Sequence, residues 1–329
     1  MAHSNISIFV PHAGCPHRCS FCDQRSISGA AFQPDGEYVR RICTDALEQI
    51  SSPEDTEIAF FGGSFTAISH DYMTELLEAA SCYVGKGMFK GIRISTRPDY
   101  ISSDVLSLLN RYGVTAIELG AQSLDNRVLE LNERGHTAED VVKASGLIKS
   151  YGFELGLQMM VGLYGSTAES EYKTAETICS ISPDTVRIYP VVILRGTKLG
   201  DLFLSGEYKP YGFDDSVDIT ADLIRLFEQE GIRVIKVGLH ASELVERDML
   251  GGFYHPAYRE LCEGRAFRKK FEQLFDEYKT DELKVSVRPK DMSKALGHKK
   301  ENIEYFSSRS KKLVVTADAS QKEKIAILR

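Results

Sequence analysis

Six apolar, β-prone runs recur along the first part of this 329-residue chain, each closed by a glycine or turn signal and followed by a helical pattern. The runs are Ile6–Val10, Glu57–Phe61, Gly91–Ser95, Ala116–Leu119, Phe153–Met159 and Thr185–Tyr189. Helices are expected near Gly36–Ile50, Tyr72–Tyr83, Ser103–Tyr112, Val128–Glu133, Ala138–Tyr151 and Ala168–Ile181, where apolar residues such as Leu106, Leu109 and Tyr112 share a helical spacing. Pro98, Gly113 and Gly152 punctuate the ends. Six β-then-α units in series predict an α/β fold, a parallel sheet curled into a partial (β/α)6 TIM-like barrel over residues 1–213. Residues 214–329 are expected to form a small C-terminal α+β extension. It would hold a helix from Asp214 to Glu230, a strand at Ile232–Val237 and strand-like runs at Lys312–Thr316 and Lys324–Leu328.

Composition narrows the class. With 43% hydrophobic and 26% charged residues the chain has enough apolar content for a full core, which excludes an intrinsically disordered protein. No apolar run approaches the ~20 residues of a membrane span. The N-terminus lacks the basic start and long apolar stretch of a secretory signal, so a cytoplasmic protein with no membrane association is expected. A net charge of −7 argues against a surface wholly committed to nucleic acid but leaves room for a local basic patch.

Seven cysteines in such a chain point to metal or redox chemistry rather than a disulfide framework. Cys43, Cys82, Cys179 and Cys262 are scattered and read as small hydrophobes. Cys15, Cys19 and Cys22 form a C-x3-C-x2-C cluster in a loop with glycine and proline, just after the first strand. Three thiols this close oxidise easily unless something binds them. A closed zinc site would need a fourth ligand, with His12 and His17 the local options, yet no second C-x2-C pair exists. A 4Fe–4S cluster fits better, because three thiolates hold three irons and leave the fourth open to a small molecule.

The cysteine spacing, with aromatic Phe21 before the last cysteine, resembles the signature of the radical SAM superfamily. The resemblance implies a 4Fe–4S cluster on Cys15, Cys19 and Cys22, with its open iron chelated by S-adenosylmethionine. One electron then cleaves the sulfonium to methionine and a 5′-deoxyadenosyl radical, the protein's task being to aim and shield that radical.

Active sites of such sheets gather at the carboxyl ends of the strands, so the residues that follow each strand are the candidates for binding. Gly62-Gly63-Ser64 resembles the superfamily's GGE-type motif; with Ser64 in place of Glu, backbone carbonyls must contact the amino group of the methionine moiety, and two glycines permit that approach. Ser95, Thr96 and Arg97 follow the third strand, where Arg97 is suited to a bidentate contact with an anionic carboxylate. Glu118 alternates with apolar neighbours and is expected to face the barrel interior, paired or in a catalytic role, because an unpartnered buried carboxylate is costly. Gln122 and Ser123 are hydrogen-bonding candidates for ribose or substrate. Phe21, Gln158 and Tyr189 complete the expected cofactor-binding set.

STRPD, ELGAQS, LNERGHT, MMVGL, RIYPVVILRGTKL and GEYKPY, in this order over about residues 4–265, resemble the radical SAM core of Elongator's catalytic subunit and its shorter bacterial relatives. That implies action on RNA, with tRNA modification the expected activity and electrons from a flavodoxin- or ferredoxin-type protein. About sixty residues follow this region, fewer than an acetyltransferase domain needs, so acetyl transfer is not carried over. Residues 281–315 hold nine Lys/Arg against five Asp/Glu, a net +4. Within them Lys294 to Ile303 resembles the helix–loop–helix of KH-type RNA modules, whose GXXG loop clamps backbone phosphates; here Gly297-His298-Lys299-Lys300 has lysine at the second glycine. Lys294, Lys299 and Lys300 are the nucleic-acid-binding candidates, set against the plainer reading of a solvated basic helix. The alternatives are a radical SAM enzyme for a small molecule or peptide, and a non-catalytic iron–sulfur redox sensor.

Overall fold

The computed structural model describes residues 4–11, 13–15, 18–23, 27, 29, 32–240 and 242–328. His12 and His17, the local options for a fourth zinc ligand, lie outside the described residues. In chain order the elements are β1 (Ser4–Val10), α1 (Gly36–Gln49), β2 (Thr56–Gly62), α2 (His70–Ser81), β3 (Gly91–Thr96), α3 (Ser103–Arg111), β4 (Val114–Gln122), α4 (Asn126–Leu131), α5 (Ala138–Ser150), β5 (Glu154–Val161), α6 (Ala168–Ile181) and β6 (Thr185–Pro190). There follow β7 (Val192–Leu194), α7 (Lys198–Ser205), α8 (Phe213–Gln229), β8 (Arg233–Val237), α9 (Glu243–Asp248), β9 (Met249–Gly252) and α10 (Tyr258–Tyr278). The chain closes with β10 (Glu282–Val287), α11 (Met292–Leu296), α12 (Glu301–Ser307), β11 (Lys312–Ala317) and β12 (Ile325–Ile327).

The chain divides into two compact units. Residues 1–210 and 230–254 make the first, a seven-stranded parallel sheet ordered β1-β2-β3-β4-β5-β6-β8 and curled into a half-barrel. Apolar residues alternate onto its outer face, among them Ile58, Phe60, Ile92, Ile94, Ile117, Leu119, Leu155, Leu157, Val186 and Ile188, all fully buried. The helices bury Val39, Leu76, Leu77, Leu106, Leu109, Val141, Ile148 and Ile178. Each such side chain contributes about 1.5–3 kcal/mol.

Local signals set the helix starts. Side chains of Asp35, Ser69, Ser102, Thr137 and Thr167 cap α1, α2, α3, α5 and α6, satisfying backbone N–H groups that would otherwise lack partners. The β/α alternation is as expected, with one strand more than the six read from the sequence. β8 pairs in parallel with β6, Thr185 opposite Arg233, so a strand expected in the extension belongs to the barrel sheet. The expected division between 213 and 214 is therefore replaced by one in which residues 230–254 return to the first unit.

Residues 211–229 and 255–329 form the second unit. Its three-stranded sheet has the order β11-β10-β12, with β10 parallel to β11 and antiparallel to β12. Phe267, Phe271 and Phe275 of α10 pack with Val285, Val287, Phe306 and Leu313 in its core. The expected strands near 312–316 and 324–328 are present as β11 and β12. Among the described residues no helix is long and apolar enough to cross a membrane.

Candidate active site

The cysteine loop and the turn after β2 interlock backbone to backbone. A Cβ on Gly63 would lie 2.2 Å from the Ala13 carbonyl oxygen and 2.7 Å from that of Val10. A Cβ on Gly14 would lie 2.3 Å from the Ser64 carbonyl oxygen. Ser64 N–H donates to the Ala13 carbonyl at 3.0 Å across the same seam. Only glycine fits on both sides, so the approach inferred for Gly62-Gly63 is used first to seat the cysteine loop against the turn.

A second set of contacts holds the loop from the opposite flank. Ser20 donates through its backbone to the Asn132 carbonyl at 3.1 Å and through Oγ to Asn132 Oδ1 at 2.7 Å. Asn132 Nδ2 donates to the Val128 and Tyr164 carbonyls, both at 2.8 Å. Arg134 Nη1 donates to Cys19 Sγ at 3.0 Å and Nη2 to the Gly120 carbonyl at 2.6 Å. His136 Nε2 lies 3.3 Å from the Ala121 carbonyl. Burial, then Arg134 and Arg97, pushes its imidazole down to about 4, so the ring is neutral and donates there. Phe21 is buried among Val128, Leu163, Val191, Ile193, Leu199 and Tyr208, with Cys19 and Cys22 at the cluster's edge.

These contacts fit a resident metal cluster on Cys15, Cys19 and Cys22. Three thiols share one loop whose Gly14 packs against the turn after β2 with no room for a side chain, and a cation lies against one of them. Among the described residues no three His, Cys, Asp or Glu groups already converge as a metal site. The fit rests on the donor set and the cradle.

The half-barrel opens on a cavity of about 490 Å³. Phe21, Cys22 and Gly62 line one side, and Ser95, Gln122, Gln158 and Tyr189 project from the strand ends. Lys236 and His240 line it from the β8 side, their nitrogens 3.1 Å apart. Gln122 sits at a bulge in the β4–β5 register with a left-handed φ of 66°, and its Oε1 is buried with no partner. An unsatisfied acceptor on a strained backbone beside a cavity makes Gln122 a candidate for contact with a ligand. Burial raises the Tyr189 phenol against the pull of Arg187, keeping it a neutral donor. A larger, shallower depression of about 850 Å³ is lined by Arg18, Glu130, Glu133 and His136, and none of these strand-end residues reaches it.

Six of the ten expected cofactor contacts line the cavity; Gly63, Ser64, Thr96 and Arg97 do not. Ser64 Oγ and Thr66 Oγ1 lie 3.0 and 2.7 Å from Thr96 Oγ1, a buried hydroxyl cluster that braces the turn from behind. Arg97 makes the bidentate carboxylate contact expected of it, but with Asp99, at 2.9 Å through both Nε and Nη2.

Glu118 faces the interior as expected, although not at the cavity wall. It is 1% exposed, accepts from Arg187 Nη2 at 2.8 Å and Gln158 Nε2 at 2.9 Å, and lies 3.3 Å from Arg93 Nη1. Burial alone would raise its carboxyl; Arg187, then Arg93 and Gln158, outweigh that and hold it below the usual carboxylate range. Arg93, fully buried, also pairs with Glu57 and Glu154 at 2.7 Å each. This network fixes Gln158 and Arg187, which line the cavity, in place of a proton-transferring role for Glu118. Sequence reasoning gives no role to Asn132, Arg134, Arg93 or Arg187; the only signal for the first two is the LNERGHT segment itself.

In the second unit, Lys294 Nζ lies 3.1 Å from Glu263 Oε1, which Arg259 Nε also reaches at 3.0 Å. Lys299 and Lys300 are exposed at left-handed φ values of 51° and 65° in the turn between α11 and α12.

The chain is similar to proteins already known. The model of the Radical SAM superfamily matches residues 9–178, more than half of the chain, and that of the Radical_SAM C-terminal domain matches residues 183–268. The tRNA uridine(34) acetyltransferase of Methanocaldococcus infernus is 28% identical over 254 residues, covering 65% of this chain and 48% of that protein. Elongator complex protein 3 of Homo sapiens is 30% identical over 203 residues, covering 55% of this chain and 37% of that protein. The chain spans about half the length of the curated relatives it matches first. The solved archaeal Methanocaldococcus infernus Elp3 shares the fold with a TM-score of 0.56 at 24% identity, over 75% of this chain and 62% of that one.

Proposed function

Because the chain belongs to the radical SAM superfamily, whose members use a 4Fe–4S cluster and S-adenosylmethionine, we propose that it cleaves S-adenosylmethionine reductively to modify an RNA, with tRNA as substrate. The observation that carries this reading is the cysteine loop seated on Gly62-Gly63 at the rim of a cavity lined by the strand ends. Cys15, Cys19 and Cys22 would hold the cluster, and the cavity would take S-adenosylmethionine. When bound, these groups supply one-electron cleavage of the sulfonium to methionine and a 5′-deoxyadenosyl radical. Gln122, through its unpartnered Oε1, would accept a hydrogen bond from the cofactor; Ser95, Gln158 and Tyr189 would orient it. The Glu118–Arg187 pair holds Gln158 and the wall rigid, while Phe9, Phe21 and Phe61 keep bulk water from that side. The electron would come from a flavodoxin- or ferredoxin-type protein.

The test is incubation of the anaerobically reconstituted, reduced protein with S-adenosylmethionine and bulk tRNA, followed by mass spectrometry. 5′-Deoxyadenosine and a new tRNA nucleoside are expected. 5′-Deoxyadenosine with unaltered tRNA would favour a small-molecule or peptide substrate, and none at all would leave a redox sensor.

Gly63→Ala is expected to lower bound iron by more than half while the far-ultraviolet circular dichroism stays native. The added methyl meets two backbone carbonyls, which do not move as a side chain does. Full iron content in this variant would show that the seam does not seat the cluster loop.

For the RNA reading, Lys299 and Lys300 stand where a GXXG loop clamps phosphates. The double variant Lys299→Glu/Lys300→Glu is expected to weaken tRNA binding and to lower the slope of log affinity against log salt by about 1 for each phosphate no longer neutralised. Filter binding at several salt concentrations measures both; an unchanged slope would remove this loop from the interface.

A further inference from the structure

A bulge in β8 decides which way one lysine points. Pairing with β6 sets Thr185 opposite Arg233 and Val186 opposite Val234, then skips Ile235 and resumes with Arg187 opposite Lys236 and Ile188 opposite Val237. Partners across a parallel pair share a face, so Lys236 joins Arg187 at the cavity while Val237 joins Ile188 on the buried outer face. Without the extra residue Lys236 would stand opposite Ile188, on the apolar side of the sheet. Bulges beside active sites re-aim side chains in this manner. The cavity lining carries the cations Arg187 and Lys236 and, among the described residues, no Asp or Glu. Glu118 answers Arg187 from the interior at 2.8 Å. Lys236 Nζ lies 3.1 Å from His240 Nδ1, and burial, then Lys236 and Arg187, presses that imidazole below its ordinary value. The ring is therefore neutral near pH 7 and accepts from the ammonium, and this wall of the cavity holds a positive potential.

We propose that Lys236 is a substrate-binding residue that takes a phosphate of the nucleotide entering the cavity; this rests on the functional reading above and names the group recognised. An ammonium is a compact point charge suited to phosphate oxygens. The carboxylate of S-adenosylmethionine is the other anion that the cavity would take. The expected cofactor contacts, however, lie along β1 to β6 and the turns that follow them. β8 is the edge strand farthest in sheet order from β1, whose following loop holds the cysteines. Phe9 and Phe61, ring centroids 6.5 Å apart, line the same cavity and offer an aromatic surface on which a base stacks. A cation and an aromatic surface in one cavity are the two elements a nucleotide uses; a neutral nucleoside uses only the second.

The experiment compares wild type, Lys236→Met and Lys236→Arg, each anaerobically reconstituted, by calorimetric titration with cytidine and with cytidine 5′-monophosphate. Pyrimidine probes avoid reporting a site for the cofactor's adenine. Wild type is expected to bind the monophosphate at least about tenfold more tightly than the nucleoside, the usual worth of one charge-assisted contact. Lys236→Met is expected to bind the two alike, and Lys236→Arg, which keeps the charge, to retain most of the preference. In turnover, Lys236→Met is expected to raise KM for bulk tRNA about tenfold and KM for S-adenosylmethionine less than about twofold. Lys236→Gln takes its place should the Met variant lose its native far-ultraviolet circular dichroism. Equal affinity of wild type for the two probes, or an unchanged preference in the uncharged variant, would overturn the proposal. So would a KM for S-adenosylmethionine that rises in step with that for tRNA, which would assign Lys236 to the cofactor's carboxylate. A wild type that prefers the monophosphate yet yields no 5′-deoxyadenosine would instead remove the functional reading and not the phosphate subsite.

Discussion

Cys19→Ala is expected to abolish cluster assembly and S-adenosylmethionine cleavage together. Three thiolates hold three irons of a cubane, so removal of one leaves a second iron without a protein ligand. Cys19 is also the sulfur to which Arg134 donates, so its loss leaves a buried guanidinium with one hydrogen-bond partner fewer. Iron is expected to fall from about four per chain to less than one, and 5′-deoxyadenosine to background. Cys82→Ser is the control: that cysteine is exposed at the C-terminal end of α2, donates to the Glu78 carbonyl, and is expected to leave iron content unchanged. Normal iron and turnover in Cys19→Ala would mean that the triplet is not the ligand set.

Arg93→Met is expected to destabilise the protein by about 3–5 kcal/mol at neutral pH, the usual cost of stranding buried charge. Arg93 is fully buried and serves three carboxylates, Glu57, Glu118 and Glu154. The sign of the pH dependence follows from the shifts. Burial would raise both carboxyls, yet Arg93 first at Glu154, and Arg187 followed by Arg93 at Glu118, bring them below the ordinary 4.5. A depressed carboxylate contributes stability that is present above its unfolded pKa and lost as pH falls through the lower folded value. Without Arg93, Glu154 loses its main stabilising partner and Glu118 its second, so the deficit of the variant is largest near pH 7 and narrows as pH falls and the carboxylates protonate. Urea denaturation of both proteins across pH measures this. A deficit under about 1 kcal/mol, or one that does not change with pH, would show that the network is not stabilising the barrel interior.

The repeated β/α pattern is legible in the sequence because each unit is local: apolar alternation, a turn, a capped helix. Pairing between strands distant in sequence is not. β8 reads as a short run after a helix, and only its register on β6 shows that it joins the barrel sheet at its edge. β10 escapes a reading from sequence because Glu282 and Lys284 dilute its apolar residues, although Val285 and Val287 form the core of the second unit. At the site, the cysteines and glycines can be read because their spacing and lack of side chains are themselves the chemistry. Arg97 and Glu118 can be placed at strand positions, but their partners Asp99 and Arg187 are chosen by side-chain geometry. Arg134 lies 115 residues from Cys19, and no local pattern joins the two.

Electron paramagnetic resonance of the anaerobically reconstituted, dithionite-reduced protein, with and without S-adenosylmethionine, bears most directly on the cluster held by Cys15, Cys19 and Cys22. The expected result is a reduced-cubane signal whose shape changes when S-adenosylmethionine is added, with about four irons per chain. Zinc in the cysteine loop, or the absence of any cubane signal from protein loaded with iron and sulfide, would contradict it.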